Sequence, residues 1–143
     1  MKKATMLKLL FFFVYVFSPL VFAQGNAHLL FHMGLGANGK FFVGGTIKNT
    51  GDGPVAKGYI IILPVEKNCN PMEFIMSEYQ NLDPGKEIQF RIPIESTLYA
   101  YRIAGFKAFD DMGFELQSVD ETKKIIEARH DKEVLTCKKS QNS

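Results

Sequence analysis

Residues 40–66 read KFFVGGTIKNTGDGPVAKGYIIILPVE, and they restrict the fold more than any other stretch. Phe41, Val43, Gly45 and Ile47 alternate with Phe42, Gly44, Thr46 and Lys48, the period of a strand. Asn49-Thr50-Gly51-Asp52-Gly53-Pro54 breaks that period with residues that favour turns. A second extended run then covers residues 55–66. Tyr59, Ile61, Leu63 and Val65 share one face of it, and Ile60 and Ile62 share the other. A strand apolar on both faces is either covered on both sides or presents an apolar patch to a partner, which makes Ile60 and Ile62 candidate contact residues. Pro64 predicts an edge position or an irregular strand end.

The rest of the chain repeats this pattern in shorter pieces. Residues 27–33 read as a first strand, followed by a turn cluster at 34–39. That cluster is no phosphate-binding loop, because a period-two segment follows it where a helix is required. Residues 72–79 are too short for periodicity to decide between a helical turn and an edge strand. Asn81-Leu82-Asp83-Pro84-Gly85 is a strong turn, after which Ile88, Phe90, Ile92 and Ile94 alternate with polar neighbours. Residues 98–109 alternate again, Asp110-Asp111-Met112-Gly113 marks a hairpin, and 114–119 complete it. Residues 120–129 have helical propensity, but Ile125-Ile126 supplies almost no apolar face, so a last strand over 123–129 is expected. Seven or eight short strands with regular turns predict an all-β, antiparallel, immunoglobulin-like sandwich.

Residues 1–23 have a basic start, an apolar middle too short to span a bilayer, and the small-residue exit Val21-Phe22-Ala23. This is the pattern of a secretory signal peptide cleaved after Ala23, leaving residues 24–143 as one domain with a polar tail. Lys2, Lys3 and Lys8 leave with the leader, taking 17 basic residues to 14 against 15 acidic, and the formal charge from +2 to −1. A mature chain so balanced has no electrostatic case for nucleic acid, and no membrane role is expected once the leader is removed. The expected location is outside the cytoplasm, periplasmic or secreted. There the two cysteines, Cys69 and Cys137, read as one disulfide. It would close a loop of roughly seventy residues, which the chain-entropy model values at about 4 kcal/mol.

No constellation of catalytic residues stands out, so no enzyme activity, metal or cofactor is expected. His28 and His32 have helical zinc spacing, but on a strand they would lie about 13 Å apart. Asp110-Asp111 and Asp120-Glu121 sit beside strands, where paired carboxylates usually serve turns. Tyr99 and Tyr101 share a strand face and are candidate contacts for a partner or a sugar; packing is the plainer alternative.

The strand-turn sequence GTIKNTGDGPV at 45–55, the LDPGKEIQFRI at 82–92 and the AYRIAGFKAF at 100–109 are similar to successive pieces of fibronectin type III-like and bacterial immunoglobulin-like domains. They span roughly half of the mature chain and are specific for architecture rather than activity. With its single domain behind a leader, the chain also resembles the interleukin receptor mimics, a family of small exported enterobacterial proteins. That resemblance implies a virulence-associated module that binds host cytokines and pairs as a homodimer by strand pairing or exchange. A hinge at Gly51–Gly53 would suit such exchange. A periplasmic or surface accessory domain of a bacterial assembly is the alternative, and a small carbohydrate-binding protein ranks third.

Overall fold

The computed structural model describes residues 22–141. The expected leader, apart from Phe22 and Ala23, lies outside the described residues, as do Asn142 and Ser143 of the tail. Seven strands follow in order: β1 (Asn26–Ala37), β2 (Lys40–Asn49), β3 (Val55–Val65), β4 (Ile75–Leu82), β5 (Glu87–Ile94), β6 (Ala100–Phe109) and β7 (Glu115–Asp120), with a helix α1 (Lys123–Gln141) after them. The ambiguous segment at 72–79 thus contributes β4. The first strand is longer than expected, because extended backbone continues through Gly34 and Gly36. The turn itself is only Asn38-Gly39, with φ of +53° and +74°. Both central residues in the left-handed region make the tight hairpin that matches strand twist.

One antiparallel set runs β1–β2–β5 and another β4–β3–β6–β7. They are joined by a parallel pairing of β1 with β7, Asn26 opposite Gln117 through Leu29 opposite Asp120. The result is one mixed sheet in the order β4-β3-β6-β7-β1-β2-β5, which corrects the expectation of antiparallel pairing throughout. The cause is local: separate hairpins set the directions of β1 and β7, and the two strands meet pointing the same way. The sheet curls until its end strands β4 and β5 touch, giving a nearly barrel-shaped domain.

Inside lie Leu29, Val43, Ile47, Val55, Leu82, Ile92 and Ala108. Ile60 and Ile62 join them at 1% and 0% exposure, so β3 turns the face expected to meet a partner into the core. Ile61 and Leu63, on the opposite face, are only half-buried. Periodicity alone leaves the choice open in a strand apolar on both faces. A bulge at Ile61/Ile62 in the pairing with β6 adds to the ambiguity. Pro64 lies beyond the last β4 partner, so its missing N–H costs no ladder bond there.

Asn49 ends β2 fully buried. Its Nδ2 donates to the carbonyls of Gly53 (2.8 Å) and Leu82 (2.9 Å). Its Oδ1 accepts from the N–H of Asn26 (3.1 Å) and Gly51 (3.0 Å). Every hydrogen-bonding position of the amide is therefore used, tying β1, the β2–β3 turn and β4 together. The same turn grips the chain before β1, since the N–H groups of Asp52 and Gly53 donate to the Gln24 carbonyl at 3.0 and 3.1 Å. A Cβ on Gly51 would lie 2.2 Å from that oxygen, so close backbone approach is what glycine supplies at the expected hinge.

The strand expected over 123–129 is instead the first part of α1. Lys, Glu, Ala and Arg there are good helix formers, and Thr122 starts the helix by accepting from the N–H of Ile125 and Ile126 at 3.0 and 3.1 Å. The apolar face is indeed thin, with Ile125 and Leu135 56% and 60% exposed. The expected disulfide is present, with Cys69 and Cys137 Cα atoms 5.6 Å apart across 68 residues of sequence. It ties the last turns of α1 to the β3–β4 loop. Lys138 and Lys139 in that last turn complement the helix dipole. No helix among the described residues is long and apolar enough to cross a membrane.

Candidate functional site

At one end of the domain, the β1–β2 hairpin, the segment entering β6 and α1 enclose a cleft of about 380 Å3. Glycine shapes its wall. A Cβ on Gly36 would stand 2.7 Å from the Phe41 ring, and one on Gly34 would stand 3.0 Å from Leu98 and 3.1 Å from Tyr101. Bare backbone at these two positions lets the side chains close over β1.

A chain of polar groups runs beneath. The Tyr101 hydroxyl lies 2.6 Å from His32 Nδ1, and His32 Nε2 lies 2.5 Å from Thr122 Oγ1. The Thr122 hydroxyl donates to Asp120 Oδ1 at 2.6 Å, and the same carboxylate oxygen accepts the Thr122 N–H at 2.9 Å. An ionised carboxylate only accepts, so the single Thr122 proton is committed to Asp120. Thr122 Oγ1 must then accept from His32 Nε2–H. Where the Tyr101 hydroxyl donates to Nδ1, His32 is neutral. Burial pushes its pKa below the usual value; Asp120 opposes that shift and Arg129 reinforces it. Burial raises the Tyr101 phenol to about 12. In this arrangement His32 donates to the threonine hydroxyl instead of withdrawing its proton, so the network positions β1, β6 and α1 against one another.

Charged groups gather at the mouth. Arg102 pairs with Glu133, and its Nη2 lies 3.1 Å from His130 Nδ1. Arg129 also lines the cleft, exposed. At its rim, Phe31, Met33 and Leu35 alternate along β1 at 50%, 41% and 41% exposure, and Tyr99 is 42% exposed. Met33 and Leu35 border both this cleft and a second one of about 510 Å3 on the outer face of β1, β2 and β5. On that face the Arg91 guanidinium sits 3.7 Å from the centre of the Phe42 ring. The apolar surface is thus continuous around the end of the domain.

Of the residues singled out in the sequence, Tyr99 and Tyr101 both border the cleft, with different roles. Tyr99 precedes β6 and is open to solvent, while Tyr101 is half-buried and spends its proton on His32. Ile60 and Ile62 are core residues and offer nothing to a partner in this fold. His28 and His32 have separate partners, His28 Nδ1 lying 2.6 Å from Glu121. Among the described residues no three His, Cys, Asp or Glu side chains cluster as metal ligands do. Asp110 serves its turn, accepting from the N–H of Met112 and Phe114 at 3.0 and 2.8 Å. Sequence reasoning missed Thr122 and Arg129, which carry no local signal, and the apolar row on β1, visible only as alternate large residues at 31, 33 and 35.

No protein-family model matches the chain, and no curated protein matches it. Among solved structures, IrmA from Escherichia coli superposes on 70% of this chain and 92% of its own, with a TM-score of 0.46 and 8% identity.

Proposed function

We infer that this chain is an exported, non-catalytic protein-binding module of fibronectin type III-like sandwich architecture, with host cytokines as its partners. The observation that carries the reading is the exposed apolar row Phe31, Met33 and Leu35, continued by Tyr99. Side chains of this size, contiguous on regular strands, are unfavourable in water and favour a partner that covers them. They lie on a rigid sheet, where little ordering entropy is lost on binding. The strand pattern is compatible with two packed antiparallel sets, β1–β2–β5 and β4–β3–β6–β7, as in that architecture. The Cys69–Cys137 disulfide suits an oxidising compartment. The partner class rests on the sequence resemblance.

The test is binding of the mature, disulfide-intact protein to a panel of host cytokines, with reduced and unfolded protein as control. Saturable, fold-dependent binding that weakens at least about tenfold in Leu35→Lys or Phe31→Asp supports the reading, since each is a large apolar side chain lost from a contact. Absence of binding across the panel sinks the cytokine assignment. If the same variants then abolish co-purification with bacterial envelope proteins, the module serves a bacterial assembly instead.

A further inference from the structure

The cleft beside α1 is chemically lopsided. Phe41, Leu98 and Tyr99 give it apolar walls. The donors of its floor are already spent, since Tyr101 gives its proton to His32 and His32 gives its own to Thr122. At the mouth, Arg102 is engaged by Glu133 and His130. The Arg129 side chain has no hydrogen bond or ion pair among the described residues, yet its charge is felt at both His32 and Tyr101. The two arginines outweigh the one carboxylate there, so the mouth favours an anion.

We propose that this cleft is a binding site for a carboxylate carried on a flat apolar body, with the Arg129 guanidinium gripping the two oxygens and the body lying between Phe41, Leu98 and Tyr99. The volume of about 380 Å3 is in the range of small-ligand sites. One planar guanidinium matches the two oxygens of a carboxylate. A phosphate dianion would need further donors, and the floor has none to give: the Tyr101 oxygen retains only lone pairs, which repel a third anionic oxygen. A neutral ligand would leave Arg129 without compensation for the water it loses. A free aryl carboxylate and an acidic peptide with an adjacent aromatic residue present the same chemistry. The site shares Tyr99 with the proposed protein-binding surface but does not rest on that reading, and it is tested on the protein alone.

The experiment is a nitrogen-15 NMR titration of the mature, disulfide-intact protein with phenylacetate and, in parallel, with its neutral isostere phenylacetamide. A second arm uses the acetylated, amidated dipeptide phenylalanyl-aspartate. The expected result is saturable shifts of the Leu98, Tyr99 and Tyr101 amides. Phenylacetate should bind at least about tenfold more tightly than the amide, the worth of one charged hydrogen-bonded pair. Arg129→Gln should abolish that preference, whereas Lys86→Gln, an exposed lysine remote from the cleft, should keep it. Tighter binding of the dipeptide assigns the carboxylate to a polypeptide, and tighter binding of phenylacetate to a free acid. Equal binding of acid and amide, a preference that survives Arg129→Gln, or no shift at these residues with any probe overturns the proposal. The acid–amide comparison needs only the unaltered protein, so the test survives a variant that folds poorly.

Discussion

Replacing Asn49 with alanine is expected to destabilise the domain strongly. The amide makes four hydrogen bonds from a position with no exposed surface. At about 0.5–1.5 kcal/mol net each, they sum to about 2–6 kcal/mol. The truncation also strands four backbone groups. The N–H groups of Asn26 and Gly51 are part-buried and can recruit water, but the bonds lost at the Gly53 and Leu82 carbonyls are buried. Each buried group left unpaired costs about 1–3 kcal/mol, so a loss of about 3–5 kcal/mol is expected after relaxation. Against a total of about 5–15 kcal/mol for a domain, that is a large fraction. Asn49→Asp is the sharper probe. It preserves the shape and the acceptor for Asn26 and Gly51 but aims a carboxylate at two carbonyl oxygens. Its pKa in the folded state must then rise above the unfolded value of about 3.9, so the penalty is full at neutral pH and shrinks as pH falls through the folded pKa. Urea unfolding of the disulfide-intact protein, followed by tyrosine fluorescence, measures both variants. A loss below about 1 kcal/mol for Asn49→Ala would refute the reasoning, because it would mean that the four bonds are replaced at no cost.

Three further outcomes follow from the same structure. Because burial lowers the His32 pKa, the unfolded chain takes up a proton first as the solution is acidified. The stability it contributes is present above the unfolded value of about 6.5 and is lost as pH falls towards the folded pKa; the urea midpoint of wild type should therefore fall more steeply below that value than that of His32→Gln, and parallel curves would contradict the assignment. Cys69→Ser with Cys137→Ser should cost up to about 4 kcal/mol and reduce helical circular dichroism, since α1 has little apolar contact of its own; unchanged ellipticity at native conditions would show that the helix is held by its own propensity. Tyr101→Phe should cost about 1–2 kcal/mol by leaving His32 Nδ1 without a donor, and in wild type one tyrosine should titrate near 12 by ultraviolet absorbance, a signal that disappears in the variant.

Most strands were legible because alternation and turn residues agree over residues 40–66 and again over 86–119. Three features were not. The phase of β3 was ambiguous because isoleucines occupy both faces, and burial of Ile60 and Ile62 is decided by the sheet around them. The start of helix α1 reads as a strand in sequence because its amphipathic signal is weak; its position depends on a disulfide, an ion pair from Arg102 and the cap at Thr122. The parallel joint between β1 and β7 leaves no sequence mark at all. As for the site, Tyr99 and Tyr101 were visible as adjacent aromatics. The His32 network was not, because His32 is 69 residues from Tyr101 and 90 from Thr122 along the chain. Asn49 looked like one more turn former, since nothing local distinguishes a buried asparagine from an exposed one.

The joint between β1 and β7 also orders events in time. His28 meets Glu121 across 93 residues, so the neighbour that completes β1 emerges long after β1 itself during synthesis. Closing so long a loop must precede any return from the contacts it makes, which is why topologies of this kind fold slowly. Until then one margin of β1, flanked by Phe31, Met33 and Leu35, has backbone groups free to pair with whatever strand is nearest. The growing chain therefore passes through an interval in which it is sticky before it is specific, and a holding chaperone would be most useful between the appearance of β1 and the arrival of β7.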